Sequence, residues 1–301
     1  MPLLVTGSIG IDTVTSPYGR AESVLGGSAV YFSFAASAFA PVRLVAVVGE
    51  DFPEEFRKVL TTRNIDLTGL ETRRGSQTFR WRGHFEADMR EAQTLEVDLN
   101  VLAEPGPKVP DRFADSKIVF LGNTHPTQQR ELLAQVRSPA LVACDTMNLW
   151  IMTERDSLLQ TLALVHGVIL NDTEARMLTD RVNLIEAGDA ILDLGPKFVV
   201  IKKGEHGAIL LTREGTAAVP AFPARIVRDP TGAGDSFAGG MLGYLASCGR
   251  FDFESLRRSL VRGTVAASFT IEDFSLRRLA RLERAEFDER LAAFVGMLRF
   301  D

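Results

Sequence analysis

Short apolar runs alternate along the chain with stretches whose apolar residues recur at helical spacing. Leu3–Thr6, Arg43–Val48, Lys117–Leu121, Leu141–Cys144 and Val168–Leu170 are brief and nearly continuous in apolar character, as strands buried on both faces are. Ser28–Phe39, Pro53–Leu60, Gln128–Val136 and Glu154–Leu164 read as helices between them. This rhythm predicts an α/β fold with a mostly parallel central sheet and helices on both faces. From Ala233 onward the pattern is mostly helical.

One region breaks the rhythm. Phe79, Trp81, Gly83 and Phe85 alternate with Arg80, Arg82, His84 and Glu86, a period of two that predicts a half-exposed antiparallel strand. Thr94–Leu99 would place Leu95, Val97 and Leu99 on one face of another strand, and Ile11–Val14 adds a third. These segments predict a small β lid, formed from about 11–24 and 73–100, on a single α/β domain spanning 1–301. The apolar face of the lid needs a cover. A ligand, the core or a second copy would supply it, and the last would make a homodimer through the lid.

Composition narrows the field. The chain has 301 residues, 46% hydrophobic and 24% charged, an ordinary globular balance. A net charge of -5 argues against a nucleic-acid or anionic-membrane partner, which would need a basic face. It leaves room for an anionic ligand held by a few local donors. The two cysteines, Cys144 and Cys248, are far apart and have neither a disulfide framework nor zinc-ligand spacing. They read as buried thiols of a cytoplasmic protein. Leu3–Val5 is too short and lacks the basic flanks of a secretory signal. Ala29–Val48 is interrupted by serines, Pro41 and Arg43, so it reads as a buried helix and strand rather than a membrane span.

The most informative segment is Asp229-Pro230-Thr231-Gly232-Ala233-Gly234-Asp235-Ser236-Phe237. Gly232 and Gly234 permit a tight turn and close approach of a ligand. A helix beginning near Ala233 would aim several N–H groups and its positive dipole end at one spot, an anion site. Gly239 and Gly240 would let that helix pack closely on a neighbour. A carboxylate at Asp235 then has two readings. It is either a general base for an attacking hydroxyl or an ordinary acid of a helix's first turn.

The whole string resembles the C-terminal signature of the ribokinase (PfkB) family of carbohydrate and nucleoside kinases. That resemblance implies a ribokinase-like three-layer α/β/α sandwich with a β lid. It also implies transfer of the γ-phosphate of ATP, with Mg2+, to a hydroxyl of a sugar or nucleoside. The Gly232, Ala233 and Gly234 amides would form the anion hole, and Asp235 would be the base. Pro230 stands where most members have threonine, and is similar in this to some bacterial adenosine kinases.

Weaker elements agree with the resemblance. Asp12 follows Gly7-Ser8-Ile9-Gly10-Ile11, at what reads as the end of the first strand. There it would be a turn residue or a partner for substrate hydroxyls. Gly26-Gly27 matches a family pair lining the substrate site. Tyr31 replaces an asparagine common in the family, and would stack on a base or pack in the core. Asn171-Asp172-Thr173-Glu174 has the spacing of a capping box. The same spacing in the family orders Mg2+ through water, which gives Asn171 and Glu174 that second role. Lys203, Gly204 and Gly207 form a turn after the strand Phe198–Ile201. By resemblance they lie near ATP, with Thr231, Ser268 and the helix after Ala266. Asp229, with the loop near Ser268–Ser275, would border a K+ ion. Asp145 and Asn148 depart from a family Asp-x-Asn pattern, and no role is carried over. No Gly-Lys dipeptide is present, so there is no P-loop.

The alternative classes are a nucleoside rather than a sugar kinase, and a non-catalytic sugar- or nucleoside-binding protein on the same fold.

Overall fold

The structure is a computed structural model that describes residues 1–299. Thirteen strands occur among these residues: β1 Leu3–Thr6, β2 Gly10–Ser16, β3 Gly19–Gly26, β4 Val42–Gly49, β5 Ile65–Arg73, β6 Phe79–Phe85, β7 Ala92–Asp98, β8 Ile118–Leu121, β9 Leu141–Cys144, β10 Gly167–Asn171, β11 Phe198–Lys202, β12 Ala208–Thr212 and β13 Thr216–Val219. Nine form one sheet in the order β13-β12-β11-β10-β9-β8-β1-β4-β5. Every pairing from β5 to β11 is parallel, and the β11–β12 and β12–β13 pairings are antiparallel, so β12 alone is reversed.

The helices that matter to the site are α1 (Ser28–Ser37), α2 (Glu54–Leu60), α3 (Pro126–Leu133), α4 (Asn148–Thr153), α5 (Arg155–Leu162), α6 (Asp172–Thr179), α7 (Leu184–Leu192), α8 (Ala233–Cys248) and α9 (Phe253–Thr270). After them come the short α10 (Arg277–Ala280) and α11 (Arg284–Met297). Successive strand residues point to opposite faces, so the apolar strands feed two cores. Leu3 and Val5 join α1, α8 and α9 on one side, while Leu4 joins residues of α3, α5, α6 and α7 on the other. The layers are therefore helix, sheet, helix.

The glycines of α8 set its close packing. A Cβ on Gly239 would stand 2.3 Å from Phe32 O of α1, and one on Gly240 would stand 2.7 Å from Ala266 Cβ of α9. Both are far inside contact distance, so α8 fits between its two neighbours only because these positions have no side chain.

The chain leaves β1 in one direction, through the small sheet and α1 to β4, while β8 continues the other way to β9. Ligands bind in the crevice where strand order reverses in this manner. Gly122 N donates to Thr6 O at 2.8 Å there, and Gln129 Nε2 donates to the carbonyls of Leu121, Gly122 and Asp145. These bonds hold the strand ends in place.

The small sheet has the order β3-β2-β6-β7. β6 pairs antiparallel with β7, as its alternation suggested, while its pairing with β2 is parallel. Val14, Ala21 and Phe85 pack on Phe274 of the main body. Leu95 and Val97 are 52% and 50% exposed on the free edge strand β7, and Leu99, just past its end, is 39% exposed. A bulge opposite Arg82 and Gly83 leaves Leu95 as an extra residue and breaks the regular alternation of β7.

Other expectations need correction. The helix expected over Glu154–Leu164 is α5, capped at Glu154, and the short α4 that precedes it was not read from the sequence. β5 carries charge at many positions, as an edge strand does, and its pattern was too polar to read. Cys144 is buried, but Cys248 at the end of α8 is exposed. No helix among the described residues is long and apolar enough to cross a membrane.

Candidate active site

α8 starts after Gly232, whose φ of 74° puts it in the left-handed region. Asp229 fastens this turn. Its Oδ1 accepts from Thr231 N at 2.9 Å and its Oδ2 from Ser275 N at 3.1 Å. The Ser275 hydroxyl donates to Leu25 O at 2.6 Å, and the Ser16 hydroxyl to Arg228 O at 2.7 Å, so the turn is tied to the small sheet as well. Ala233 N donates to Pro230 O at 3.1 Å and is therefore used inside the turn. The N–H groups of Gly232 and Gly234 meet no protein acceptor among the described residues, and that of Asp235 meets none but its own carboxyl. The amides left for a ligand are thus Gly232, Gly234 and Asp235, where Gly232, Ala233 and Gly234 were expected.

Asp235 lies half-buried in the first turn of α8. Burial, then the Asp145 carboxylate, push its carboxyl up to about 7, with Lys202 pulling the other way. A carboxyl at this level can hold or release a proton near neutral pH, as a general base must.

Asp12 is not at the end of β1. It is the third residue of β2, in the small sheet, and only 4% exposed. A Cβ on Gly26 would stand 1.8 Å from Asp12 Oδ2, so the glycine makes room for the carboxyl. Asp12 Oδ1 has no partner. Burial, then Asp229 and Asp235, raise this carboxyl to about 8. Phe79 and Trp81 pair with Gly10 and Asp12 in register, which puts their half-buried rings on the Asp12 side of the sheet. Gly27, at φ 103°, has room for no side chain, since a Cβ would stand 2.4 Å from Ser8 O.

Tyr31 is 2% exposed and packs in the core: a Cβ on Gly232 would meet its ring at 2.2 Å. It is the wedge beneath the glycine turn. Burial, then Asp229, Asp12 and Asp235, hold its hydroxyl well above the usual phenol range.

On the other side of α8 stand two groups the sequence reading did not assign. Asp145 follows β9 and Lys202 ends β11, with Nζ 3.6 Å from Asp145 Oδ2. The signal was positional: both sit at carboxyl ends of parallel strands. Burial lowers the Lys202 ammonium, but Asp145, then Glu174 and Asp235, outweigh it and leave the group raised and charged. Burial raises Asp145, with Lys202 opposing.

Asn171 caps α6 as expected. Its Oδ1 accepts from Glu174 N at 2.8 Å, and Glu174 Oε2 accepts from Asn171 N at 2.7 Å. Burial, then Asp145, bring Glu174 to about 8. No cluster of three or more His, Cys, Asp or Glu among the described residues is arranged to hold a metal ion directly. One lone pair on each capping oxygen is spent, so this donor set suits contact through water.

The expected nucleotide residues divide. The turn Lys203–Gly207 is closed by Lys203 N donating to Gly207 O at 2.7 Å, and follows directly on Lys202. Gly207 is glycine because Val219 O of β13 would stand 2.0 Å from its Cβ, and Gly204 faces open space. Thr231 Oγ1 is buried without a partner. Ser268 is turned into the α9–α11 interface, where its hydroxyl donates to Val265 O and accepts from Arg290. α9 ends at Thr270, so Ala266 lies in its last turns and does not open a helix.

A pH-dependent stability follows from Asp12. The folded protein keeps a proton on this carboxyl that the unfolded chain releases near pH 4, so stability falls as pH rises from about 4 to 8. Asp12→Asn removes the charge at constant shape. By differential scanning fluorimetry at pH 9 it is expected to melt on the order of 5 °C above wild type, the gain vanishing toward pH 4. Equal melting at both pH values would refute this account.

The pfkB family carbohydrate kinase pattern matches residues 14–280. The cytidine kinase of Thermococcus kodakarensis is 31% identical over 276 residues, 86% of this chain and 96% of that protein. A Burkholderia thailandensis nucleoside kinase solved with inosine has a TM-score of 0.79 at 21% identity, over 98% of both chains. An E. coli putative ribokinase II solved with ATP and Mg2+ has a TM-score of 0.77 at 16% identity, over 97% of this chain and 99% of that one. The last two likenesses concern the fold.

Proposed function

Because the chain belongs to the pfkB family of carbohydrate kinases, we propose that it transfers the γ-phosphate of ATP to a hydroxyl of a nucleoside. The observation that carries this reading is the pairing of Asp12 with Trp81, beside Phe79 paired with Gly10. A carboxyl that accepts ribose hydroxyls then has a flat aromatic surface next to it for a base. The similarity to a cytidine kinase supports the same choice. A free sugar is the second reading, favoured by the tight Asp12–Gly26 contact, which serves a polyol equally well.

The acceptor lies between the small sheet and the carboxyl ends of β1 and β8, held by Asp12, Gly26 and Gly27. Asp235 takes its hydroxyl proton as the oxygen bonds to Pγ. The Pγ–O bond to the β-phosphate breaks and the electron pair leaves on ADP. The amides of Gly232, Gly234 and Asp235 face the phosphoryl oxygens and stabilise their charge. Mg2+ bound through water near Asn171 and Glu174 would neutralise part of the phosphate charge. Lys203, Gly204 and Thr231 border the nucleotide. A K+ ion beside Asp229 would add to the positive field, and dependence of kcat on K+ against Na+ tests it.

The small sheet acts as the lid. Arg90 of its β6–β7 turn pairs with Glu205 at 3.3 Å, and Glu91 accepts from the Thr173 hydroxyl at 3.2 Å, so the turn reaches across to the residues that follow β11 and β10. Closure there excludes water from the transferring group. The exposed Leu95, Val97 and Leu99 would also serve a lid-to-lid dimer. Sedimentation equilibrium is expected to give twice the chain mass, and a single-chain mass would remove the dimer.

The test is ADP release from Mg·ATP with cytidine, inosine, adenosine, ribose and fructose as acceptors. Turnover with a nucleoside and not with free sugars is the expected result. The reverse pattern would establish the second reading. Tight acceptor binding without turnover would point to the binding protein.

A further inference from the structure

Lys202 is a cation held by one long ion pair and placed against an anion site. Its side chain is 16% exposed, and its nearest carboxylate oxygen, Asp145 Oδ2, is 3.6 Å away, beyond hydrogen-bond distance. An ammonium has three N–H donors, and a single long ion pair leaves donors available to a ligand. The chain runs from β11 toward the first turn of α8. A Cβ on Gly234 would stand 2.8 Å from Nζ, 3.6 Å from Cε and 3.7 Å from Cδ. The ammonium therefore borders the residue whose own N–H is free, next to the N–H of Asp235.

Charge points the same way. Asp145, Glu174 and Asp235 all act on Lys202, so this part of the cleft holds three carboxyl groups and one cation. A polyphosphate entering such a place is repelled unless a fixed positive charge meets it. A neutral acceptor hydroxyl has no need of one.

Resting on the kinase reading above, we propose that Lys202 binds the phosphate chain of the nucleotide, together with the amides of Gly232, Gly234 and Asp235. Asp145 holds the ammonium in place until phosphate oxygens take up its free N–H groups. During transfer the electron pair that leaves Pγ collects on the β-phosphate oxygen of ADP, where the ammonium offsets it, while the acceptor proton goes to Asp235. Lys202 does not change its protonation.

The experiment is calorimetric titration of wild type, Lys202→Gln and Lys202→Arg with Mg·AMP-PNP, ADP and AMP. Lys202→Gln is expected to weaken AMP-PNP and ADP by on the order of ten- to a hundredfold, the size of a charge-assisted hydrogen bond. AMP should change by less than about twofold, and arginine should restore part of the loss. A merely structural lysine would lower the melting temperature and weaken all three ligands alike, which would overturn the proposal. Lys202→Gln leaves Asp145 buried and unpaired, so Lys202→Gln with Asp145→Asn is made in parallel to keep the fold. Wild type binding AMP-PNP no more tightly than the variants would also overturn it. Wild type binding no nucleotide would overturn the kinase reading itself.

Discussion

Asp235→Asn is expected to lower kcat by about 10²–10⁴, the usual contribution of a positioned general base. Asparagine keeps the shape of the side chain and cannot take the proton of the attacking hydroxyl. Binding of Mg·AMP-PNP should stay equal or tighten, because a carboxylate has been removed beside the phosphates. Wild-type kcat/KM should rise about tenfold per pH unit below pH 7 and level off above it, following the Asp235 carboxyl at about 7. That rise should be absent in the variant. Full activity in Asp235→Asn, measured by ADP release with the best acceptor, would show that another group takes the proton.

The second large effect is at Gly232. Alanine there must hold φ 74° and would place its Cβ 2.2 Å from the Tyr31 ring. The first costs about 1–2 kcal/mol and the second adds an overpacking cost of about 1–3 kcal/mol, since the ring is buried and has nowhere to go. Gly232→Ala should therefore melt on the order of 10 °C lower. It should also lose about 10²-fold in kcat, as the free amides move away from the phosphoryl oxygens. Gly75→Ala is the control: its φ is 77°, but nothing lies within 4 Å of its Cβ. It should show only the backbone cost and full activity. Equal destabilisation in the two variants would mean that the Tyr31 contact is not what makes Gly232 indispensable.

How far the site could be read without coordinates depends on how local its parts are. The turn Asp229–Asp235 is contiguous, and a proline, two glycines and an acid before a helix describe its shape almost completely. The capping box of Asn171 and Glu174 is equally local, since both bonds form within one turn. Asp12 was read as a substrate residue but put in the wrong element. Ile11–Val14 reads as a strand of the small sheet, but what places Asp12 at the site is the partner strand Phe79–Phe85, far along the chain. Tyr31 had two readings. What decided between them was Gly232, whose missing side chain leaves the ring its place.

The sequence by itself determined the layers, because nearly continuous apolar strands must be covered on both faces and helical spacing supplies the covers. It also determined the glycine turn and its acid, because backbone freedom and a helix start are properties of a few successive residues. Only the tertiary structure decided which charges meet. Asp145, Glu174, Lys202 and Asp235 come from the ends of β9, β10 and β11 and the start of α8, and are brought together by parallel pairing and the seating of α8 between α1 and α9. Electrostatic coupling falls with distance in space and burial from water, and neither is written in the order of residues along the chain.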